Sequence, residues 1–551
     1  MSKRVLILGG GVAGLTAAHE LLERGYRVCV LERQSIAGGK ARSVWHEGLP
    51  AEHGFRFFPG FYKHLPDTMR RTPVGSGRSA FDHLEWSRLD RLAFMDGSRI
   101  LTPPSFPRSL RMLWLSSSIP FRLLRKGLPL RDLLFFGGKL WRIVTSSFER
   151  RAGEYEKIGW MQFVQADERS QQYRDLLAVG PTRILVASKA EEANTKTLAN
   201  VSMQLIFNTI TPGETSDRLL DGPTNEVWID RWLEDLRGKG LDYEFDQEVT
   251  RLVVEEGAIA GVEVGGPDGA ARRLEADYYL SALPVEVMGR LASDELIAAD
   301  PHLAGLRELR HHVNWMNGVQ FYLAEDVRLN PGHIIVSGSP WALTGLSQQQ
   351  FWSDYSLAEE SDGRVHGCLS VDISDWNTPG LNGRRARDCS RQEVVEQVWA
   401  QLQQALPELR GIEYVSAFLD DDIVQAEDNP HHEINLEPLL VNRADSWRLR
   451  PEAWTALPNL FLASDYVRTY SDLACMEAAN EAARRAVNAL LERDGSDAER
   501  CEIFPLREWW LFAPLKWLDR RRYERGRPGS WLPPPRVPAS HRRRRSSAVR
   551  R

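Results

Sequence analysis

The sequence predicts an α/β fold in which two domains are interleaved along one chain, and two observations support this. First, residues 4–8 (RVLIL) form a short apolar run, residues 12–24 carry apolar side chains at helical spacing, and residues 26–33 (YRVCVLER) form a second run. Strand, helix and strand within about thirty residues make a right-handed βαβ unit on a parallel sheet. Second, the 551 residues exceed the roughly 250–300 residues that one hydrophobic core accommodates.

Further periodic segments extend this pattern along the chain. Residues 171–205 and 392–406 have helical spacing, and the last predicted strand is followed by a helix rich in alanine. The other predicted strands are residues 252–264, 277–283, 319–323, 334–336, 367–373 and 460–463. Those in the middle of the chain are assigned to a second domain of α+β type with a mixed or antiparallel sheet.

Charge is distributed unevenly. The formal net charge is −5, but residues 519–551 contain twelve Arg and two acids, so this tail carries +10 and the remainder −15. The five cysteines are scattered without a C-x-x-C spacing, which argues against a disulfide framework or a structural zinc site and fits a reducing cytoplasm. We find neither a signal peptide nor a run of about eighteen apolar residues, so we expect a cytoplasmic protein without a membrane-spanning helix.

A glycine-rich turn joins the first strand to the first helix. Gly9, Gly11 and Gly14 occupy the G-x-G-x-x-G positions, where glycine permits the tight turn, the approach of a pyrophosphate and close helix–strand packing. The helix N-terminus directs free N–H groups and a partial positive charge at the phosphates. Glu32 ends the second strand about twenty residues later, where its carboxylate can accept from both ribose hydroxyls. The turn therefore predicts a dinucleotide site, and Glu32 argues against a 2′-phosphate and hence against NADP.

Three further segments resemble motifs of the amine oxidase and phytoene desaturase superfamily. ERQSIAGGKARSV (residues 32–44) is similar to its second glycine motif, and LPAEHGFRFFPGFYKHLPDTM (49–69) to the segment that runs along the isoalloxazine ring. LPNLFLASDYVRTYSDLACMEAANEAARRAVNALL (457–491) is similar to its F-L-A-G-D … M-E-G-A segment. The resemblance implies FAD as the cofactor and a Rossmann-type FAD-binding domain of the GR2-like flavoprotein fold, interleaved with an α+β substrate domain.

The same resemblance assigns roles to individual residues. Lys40 and Arg42 supply positive charge near the phosphates or the ribityl chain. Asp465 bonds the pyrophosphate or the ribityl hydroxyls, and backbone near Val249 meets the adenine. The helix that starts at residues 476–478 points at the pyrimidine edge of the flavin, where its N-terminus stabilises negative charge on the reduced ring. The implied cofactor-binding residues are Gly9, Gly11, Val12, Ala13, Gly14, Glu32, Arg33, Gly38, Gly39, Lys40, Ala41, Arg42, Gly54, Phe55, Val249, Asp465, Met476, Glu477 and Ala478.

The chain departs from the family at two positions and leaves the catalytic groups open. Ser464 and Ala478 stand where the family usually has glycine, and because both are small we expect a slightly altered backbone rather than lost binding. Glu52, His53 and Arg468 are candidates for the catalytic base or the charge-stabilising group. For His53, a structural histidine satisfied by backbone is an equal alternative. No metal site is predicted.

Within the superfamily the chain looks most like the carotenoid and phytoene desaturases of plant and cyanobacterial type and the related hydroxysqualene dehydroxylases. The segments that carry this likeness are EHGFRFFPGFYKHL, SPWALTGLSQQQFW and LASDYVRTYSDLACMEAAN. The likeness implies an enzyme that holds a C–H bond of a hydrophobic isoprenoid over flavin N5, transfers a hydride and leaves a double bond. Oxygen or a membrane quinone would reoxidise the flavin. Aromatic residues near the middle segment either line a tunnel or belong to the core, namely Trp315, Phe321, Tyr322 and Trp341.

Three other functions remain open. An amine oxidase of the same fold would act on a small soluble amine held in an aromatic cage. A lipid double-bond isomerase would use FAD without net oxidation. A prenyl-binding escort related to the Rab GDP dissociation inhibitors would catalyse no redox chemistry; such escorts lack an intact FAD signature, whereas this chain keeps the glycines, Glu32 and Asp465. The escort is therefore the least favoured alternative.

Two segments have the composition of helices that lie in a membrane interface. Residues 106–144 interleave Leu, Trp and Phe with Arg, and residues 507–527 repeat the pattern. Pro107, Pro120 and Pro129 are expected to break the first segment into short helices. Packing on the protein's own core is the alternative for either segment. Together with the basic tail they favour peripheral attachment to an anionic cytoplasmic membrane. No nucleic-acid module accompanies the Arg-rich tail, so no nucleic-acid partner is expected.

The motifs divide the chain into alternating parts. The FAD-binding domain is assigned to residues 1–100, 216–295 and 451–493. The substrate domain is assigned to residues 101–215, which are mainly helical and membrane-facing, and to residues 296–450. An amphipathic C-terminal segment follows at 494–527, and residues 528–551, rich in Pro, Arg and Ser, are expected to be a basic disordered tail.

Overall fold

A five-stranded parallel sheet organises the first part of the fold in the computed structural model, which describes residues 2–180, 190–212, 217–266, 271–426 and 429–529. In order across the sheet, the strands are Asp242–Glu244, Arg27–Leu31, Arg4–Leu8, Tyr278–Ser281 and Leu460–Leu462. All neighbouring pairs are parallel. The predicted βαβ unit and the predicted strands near residues 280 and 461 are therefore confirmed as members of one sheet.

Two helices pack side by side against this sheet. Val12–Glu23 follows the first strand, and Met476–Arg493 follows the last strand of the sheet along the chain. Alanines on both helices are buried, and the Asn480 amide nitrogen donates to the Thr16 hydroxyl across a distance of 2.9 Å. Because both helices begin beyond the carboxyl ends of parallel strands, their N-termini lie at the edge of the sheet where ligands bind in such folds.

A seven-stranded mixed sheet forms the second layer. Its strands, in order, are Tyr414–Leu419, Asn317–Leu323, Gly367–Ile373, Leu343–Ser347, Ile334–Ser337, Asp90–Phe94 and Arg99–Thr102. The one parallel pair joins Asp90–Phe94 to Ile334–Ser337. The predicted mixed sheet is thus confirmed. Two of its strands come from residues 90–102, which straddle the boundary drawn at residue 100, so the early part of the chain contributes to this second sheet.

The two faces of the seven-stranded sheet differ in polarity because successive side chains alternate. On one face, Val319, Val371 and Ile373 pack with the helix Arg391–Ala405 in a separate hydrophobic core. Phe321 and Trp341, offered above as tunnel or core, are fully buried in this core and do not line the site described below. Tyr322 is also fully buried, in a smaller cluster, whereas Trp315 packs on the edge of the larger core. The opposite face is polar and is turned toward the parallel sheet.

Shorter elements connect these layers. The remaining strands are Ser43–His46 with Leu49–Glu52, Pro73–Gly75 with Arg78–Ser79, Leu84–Trp86 with Arg218–Leu220, the three-stranded Glu248–Glu255, Ala258–Gly265 and Ala271–Leu274, Val313–Asn314 with Leu439–Leu440, and Ile423–Ala426 with Asn429–Asn435. The remaining helices are His64–Arg70, Leu110–Arg125, Leu130–Thr145, Phe148–Gly153, Trp160–Val164, Gln171–Tyr173, Thr195–Ile210, Asp230–Gly238, Val285–Leu291, Asp294–Ala299, Gly305–Leu309, Leu357–Glu360 and Ala513–Glu524. Two π-helical stretches occur, Arg174–Val179 and Asn225–Ile229.

The first amphipathic segment forms two helices, Leu110–Arg125 and Leu130–Thr145. Pro129 caps the second helix as predicted, but Pro120 lies inside the first, so the prediction of a break there is wrong. A proline inside a helix loses the hydrogen bond of its own nitrogen and its ring crowds the carbonyl four residues earlier, here that of Ser116, but the helix continues past it to Arg125. Within the described residues, no helix is both long and apolar enough to cross a membrane. The predicted tail lies outside the described residues from residue 530 onward.

Candidate flavin site between the two sheets

One large cavity extends from the carboxyl edge of the parallel sheet to the polar face of the seven-stranded sheet. Many of the residues assigned to the cofactor or to catalysis line it, namely Gly9, Gly11, Val12, Ala13, Glu32, Arg33, Gly38, Gly39, Lys40, Ala41, His53, Gly54, Phe55, Val249, Asp465 and Met476. Those that lie outside its lining are Gly14, Arg42, Glu52, Arg468, Glu477 and Ala478. The fold therefore brings together segments that are far apart in the sequence.

The first glycine motif has a geometry that only glycine tolerates. Gly9 has a φ angle of +98°, which is costly for any residue with a side chain. A methyl group on Gly14 would lie 2.0 Å from the carbonyl oxygen of Gly9, so the helix approaches the turn too closely for alanine. Gly14 thus acts by helix–strand packing rather than by lining the cavity, as the motif predicts.

The second glycine motif packs directly on the first. Gly38 donates its N–H to the Gly10 carbonyl across 3.1 Å and has a φ angle of +108°. A methyl group on Gly39 would lie 3.0 Å from the Gly11 Cα. The two turns leave a cradle of backbone without side chains beside a helix N-terminus, and this is the surface that a pyrophosphate requires. The residues present therefore fit a dinucleotide.

Glu32 is buried at the end of its strand, and its carboxylate is held by backbone. Its two oxygens accept from the N–H groups of Gly10 and Gln34 across 2.8 and 2.9 Å. Burial raises the pKa of Glu32, although these N–H groups oppose the rise. The carboxylate lines the cavity, in the position where an acceptor for ribose hydroxyls is expected.

The two basic residues of the second motif are held by acids. The Lys40 ammonium contacts Glu286 across 2.7 Å, and it lines the cavity. The Arg42 guanidinium contacts both Asp422 and Glu437 across 2.8 Å, and its side chain is outside the lining. Lys40 is therefore placed to reach a phosphate or ribityl group, whereas Arg42 ties the motif to the loop beyond the seven-stranded sheet.

His53 and Glu52 are neighbours in sequence but occupy different surroundings. His53 lines the cavity, and its Nδ1 contacts the carboxylate of Asp420. Burial raises the pKa of Asp420, but His53 and neighbouring donors outweigh it and lower the value to about 2. Glu52 is buried outside the cavity and accepts from the N–H and hydroxyl of Thr224 across 2.9 and 2.6 Å. Its hydrogen bonds fit a structural carboxylate.

The ligand atoms of His53, Asp420 and Asp422 lie within 4.8 Å of one another. Such a cluster could in principle hold a metal ion. However, Arg42 already places a cation on Asp422.

Arg56, which the sequence reading did not single out, clamps the flavin-side segments together. Its guanidinium donates to the carbonyls of Gly54, Ala41, Arg42 and Lys40 across 2.7 to 3.2 Å. It therefore joins the segment around Gly54, which follows the strand Leu49–Glu52, to the second glycine motif. Its position within the quoted EHGFRFF segment was the only sequence signal for this role.

The last family segment divides between the cavity and the interior. Asp465 lines the cavity, and burial raises its pKa while Lys40 opposes the rise. Met476, the first residue of its helix, also lines it. Glu477 points away and accepts from the N–H groups at the start of the helix His64–Arg70. Ala478 is fully buried beneath the helix start.

Arg468, a catalytic candidate, lies away from the cavity. Its guanidinium contacts Glu452 across 3.1 Å and the Trp447 carbonyl across 3.0 Å. Ser464 does line the cavity, with a φ angle of +95°. The backbone at this position thus has the conformation that favours glycine, and the serine adopts it with its side chain in place.

The far end of the cavity combines Phe55, which the family resemblance assigned to the cofactor, with residues that the sequence analysis did not identify. Phe55 and Phe57 each lie 5.2 Å, between ring centroids, from the ring of His333. Burial lowers the pKa of His333 to about 4, so the ring is neutral near pH 7 and forms part of an aromatic wall. Thr344 and Asp372, from the polar sheet face, complete this end. The strand at 367–373 was predicted. Because side chains alternate along a strand, Asp372 lies on the face opposite to the apolar Val371 and Ile373, and this alternation could have identified it from the sequence.

Comparison with known proteins identifies the family. The model of the flavin-containing amine oxidoreductases matches residues 12–491. The chain belongs to this family. A flavin-containing amine oxidoreductase with this fold uses FAD, and the glycine cradle described above is the part of the cavity that fits its pyrophosphate. The chain is accordingly an FAD-containing oxidoreductase.

Two curated relatives span nearly the whole chain. The 15-cis-phytoene desaturase of Synechococcus elongatus is 22% identical over 518 residues, covering 91% of this chain and 99% of that protein. The carotenoid phi-ring synthase of Streptomyces griseus is 26% identical over 531 residues, covering 89% and 88%. The predicted resemblance to the carotenoid desaturases is therefore confirmed at the level of sequence similarity.

Solved structures agree on the fold. Cyclohexylamine oxidase from Brevibacterium oxydans is 15% identical, covers 90% of this chain and 100% of its own, and superposes with a TM-score of 0.61. Putrescine oxidase bound to putrescine is 14% identical, with coverage of 89% and 99% and a TM-score of 0.59. At such identities the likeness concerns the fold alone. It confirms the predicted α/β flavoprotein architecture.

Proposed function

We propose that this flavoprotein dehydrogenates a hydrophobic isoprenoid or a related lipid and leaves a new carbon–carbon double bond. The observation that carries the proposal is that the two relatives which cover the chain almost from end to end are named for the desaturation of phytoene and for the phi-ring of a carotenoid. The amine oxidases of known structure are only 14–15% identical to this chain, so they support its fold and not an amine substrate.

The cavity supports a hydrophobic substrate. Beyond the glycine cradle its walls are formed by Phe55, Phe57, Tyr62 and Met316, whose apolar surfaces bind a hydrocarbon chain and exclude water. When bound, FAD supplies the two-electron acceptor that dehydrogenation requires. The chain itself has to orient the substrate C–H bond, keep the site dry and accept the proton. The N-terminus of the helix Met476–Arg493 lies at the cavity wall. Its partial positive charge would stabilise negative charge on the reduced flavin ring.

The test is the visible spectrum of the purified holoprotein under anaerobic conditions, titrated with vesicles that carry phytoene, squalene-type alcohols or unsaturated fatty acids. We expect one isoprenoid to bleach the oxidised flavin and to be recovered with an added double bond. Empty vesicles are the control. If the flavin stays oxidised with every lipid, the proposal fails; recovery of a rearranged lipid would then favour an isomerase, and bleaching by a panel of amines would favour an amine oxidase.

We further propose that the enzyme attaches to an anionic membrane through one exposed face. On the helix Leu110–Arg125, Trp114 is 62% exposed, and Arg122 lies 4.8 Å from its ring centroid. The C-terminal segment adds Trp510, which is 79% exposed. Large apolar side chains interleaved with arginines fit the boundary between acyl chains and anionic headgroups. Attachment would bring the cavity close to a lipid substrate, and oxygen or a membrane quinone would reoxidise the flavin.

Flotation with anionic and neutral vesicles tests this face. We expect the protein to float with anionic vesicles, and the double substitution W114S/W510S to weaken flotation. Trp45, which is 58% exposed on the hairpin Ser43–His46 with Leu49–Glu52, gives a matched control: W45S should float like the unchanged protein. Equal flotation of all three proteins would show that the proposed face does not contact the membrane. Reoxidation rates with oxygen and with a quinone in the vesicles distinguish the two acceptors.

A further inference from the structure

Asp372 is an acid in the middle of a buried sheet, and its side chain reaches the substrate end of the cavity. It lies on the strand Gly367–Ile373, directly between Gly318 and Thr344 of the neighbouring strands. Cross-strand neighbours share a face, so the side chain of Thr344 lies beside the carboxyl group on the cavity side. Asp372 is 8% exposed, and what remains open faces the cavity that its residue lines.

Two glycines make room for this carboxyl group. A methyl group on Gly54 would lie 2.4 Å from Asp372 Oδ1, and one on Gly318 would lie 3.1 Å from the same oxygen. Gly54 belongs to the segment along the cofactor side of the cavity, and Gly318 donates its N–H to the His53 carbonyl across 2.9 Å. The backbone on both sides therefore leaves a slot in which the Asp372 carboxyl group lies against the flavin-side segment.

Burial and the charges around Asp372 place the pKa of its carboxyl group near neutral pH. Burial raises its pKa to about 7, while Arg56 and His53 favour the charged form and Glu52 disfavours it. Within the described part of the chain, no hydrogen bond or ion pair holds this carboxyl group. Arg56 is occupied by four backbone carbonyls and His53 by Asp420, so neither is a direct partner. A carboxyl group that is close to the reacting region and not committed to a structural bond is suited to proton transfer.

We propose that Asp372 is the catalytic base that accepts the proton released in the dehydrogenation. This inference rests on the proposed function. One C–H bond of the substrate breaks, and its electron pair would leave as hydride to the oxidised flavin when FAD is bound. The C–H bond on the adjacent carbon breaks in the other sense: its proton passes to the Asp372 carboxylate, and its electron pair becomes the new double bond. The proton then leaves Asp372 for solvent when the product departs.

Most of the other acids that line the cavity are held by partners: Glu32 accepts from backbone N–H groups, Glu286 contacts Lys40, and Glu437 contacts Arg42. Glu52 accepts from Thr224 outside the cavity, and Glu477 caps a helix. Asp465 lies at the end of the cavity where Lys40 and Glu286 are found. Asp372 is the carboxyl group that lies with the aromatic wall, where a hydrophobic substrate would be held.

The experiment compares D372N with the unchanged holoenzyme and with E226Q. Burial raises the pKa of Glu226 to about 7 as well, but this residue is outside the cavity lining, so E226Q is the matched control. Anaerobic flavin reduction by the lipid substrate is followed as a function of pH. In the unchanged enzyme the rate should rise with pH up to about 7 and level off above, because the base must be deprotonated. In D372N the rate should fall on the order of 10²- to 10⁴-fold, and the rise should disappear.

A second readout does not depend on turnover. The infrared band of a protonated carboxyl group should decrease between acidic and alkaline pH in the holoenzyme, and the part of this change due to Asp372 should be missing in D372N but present in E226Q. Flavin absorbance and thermal unfolding establish that each variant is folded and loaded.

The outcomes separate the two proposals. If the unchanged enzyme is reduced by a lipid but D372N is reduced at the same rate, or if the rate shows no rise toward pH 7, Asp372 is not the base and the proposed function stands. If no lipid reduces the unchanged enzyme, the proposed function fails, while the infrared titration still reports whether Asp372 ionises near neutrality. If D372N does not fold, D372S, which also removes the acid, takes its place, and a rate and pH profile like those of the unchanged enzyme would overturn the proposal.

Discussion

At the scale of single residues, Ser464 shows how the chain keeps a backbone geometry without the residue that suits it. Its φ angle of +95° lies in the left-handed region, and it directly precedes Asp465 at the cavity wall. The Ser464 hydroxyl donates to Asp465 across 3.3 Å, which is a weak compensation. A non-glycine residue in such a conformation costs of the order of 1–3 kcal/mol.

Substitution of Ser464 by glycine should therefore relieve strain. S464A is the matched variant, because both changes remove the hydroxyl and only glycine removes the steric conflict. We expect the S464G holoprotein to be more stable than S464A by about 1 kcal/mol, after allowance for the greater freedom of glycine in the unfolded chain. Urea unfolding at constant flavin saturation measures the difference. Equal midpoints for the two variants would mean that the conformation carries no strain.

A pair of buried acids beneath the aromatic wall gives a second expectation at this scale. Burial raises the pKa of Asp217 to about 7, and the nearby Asp90 adds to the rise. Asp217 accepts from the Gly60 N–H across 2.8 Å. Because the folded-state pKa of this acid is raised, the folded protein holds a proton that the unfolded chain has lost, and stability falls as pH rises from about 4 to about 7.

D217N should reduce this fall in stability. An asparagine is neutral at every pH and its carbonyl oxygen can still accept from Gly60. A pKa shift of this size corresponds to a few kcal/mol, on the order of 4 at most. We expect the melting temperature of the variant to decline less than that of the unchanged protein between about pH 4 and pH 7 and to run parallel above. Thermal unfolding across this range is the measurement, and parallel curves throughout would contradict the expectation.

At the scale of elements, Glu477 joins two helices. It is near the start of the helix Met476–Arg493, and its carboxylate accepts from three consecutive N–H groups of residues 63–65, at distances from 2.7 to 2.9 Å. These N–H groups begin the helix His64–Arg70 and have no partner within their own helix. The carboxylate of one helix thus caps the other, and these hydrogen bonds hold the Glu477 side chain outside the lining of the cavity.

E477Q should destabilise the protein without removing the flavin. Replacing a buried, multiply bonded carboxylate by an amide brings a donor N–H₂ among donors, and we expect a loss on the order of 3 kcal/mol. E492Q, at an exposed position of the same helix, is the control and should change stability little. Chemical unfolding and flavin content per protein are measured together. A stable E477Q protein that has lost its flavin would instead support the contact with the cofactor.

At the scale of the whole molecule, the two amphipathic segments meet. Trp141 of the helix Leu130–Thr145 and Phe512 of the C-terminal segment have ring centroids 5.9 Å apart. Asp519 accepts from Arg150 Nε across 2.8 Å and from the Ser147 N–H across 2.9 Å. The C-terminal helix Ala513–Glu524 thus packs against residues 141–150. Each of the two amphipathic segments has one buried side and one exposed side. Packing on the protein's own core therefore accounts for one side of these helices, and the exposed side is the face for which we propose membrane contact.

The chain that ends at residue 529 should bind anionic vesicles less tightly than the full chain, and with a weaker dependence on salt. Residues 530–551 carry seven Arg and no acid, and each basic residue near an anionic surface contributes about 1 kcal/mol at low ionic strength. We expect the two proteins to differ at low salt and to converge at high salt, where screening removes the electrostatic part. Vesicle sedimentation over a salt series measures this. No difference at low salt would exclude the tail from membrane contact.

Much of the cofactor half could be predicted because its signals are local. The strand, the glycine turn and the helix that begin the chain are contiguous, and glycine at positions 9 and 14 is required by contacts within that unit. Strand-like runs likewise predicted three strands of the second sheet, at residues 319–323, 334–336 and 367–373, but not its other four strands. Which way an individual side chain points was harder to predict from the sequence. Arg42, for example, pairs with Asp422 and Glu437, which are distant from it in sequence.

The sequence by itself determined the fold class and the dinucleotide site, because backbone conformation, helix spacing and glycine requirements act over a few neighbouring residues; FAD and the family followed from the resemblance of its motifs. Only the tertiary structure decided which acid faces the substrate end of the cavity. Asp372 gains that position from the slot left by Gly54 and Gly318, and its charge balance from Arg56 and His53. These contacts join the flavin-side segment to the middle of another sheet, and burial and electrostatics of this kind exist only once the two layers have packed together.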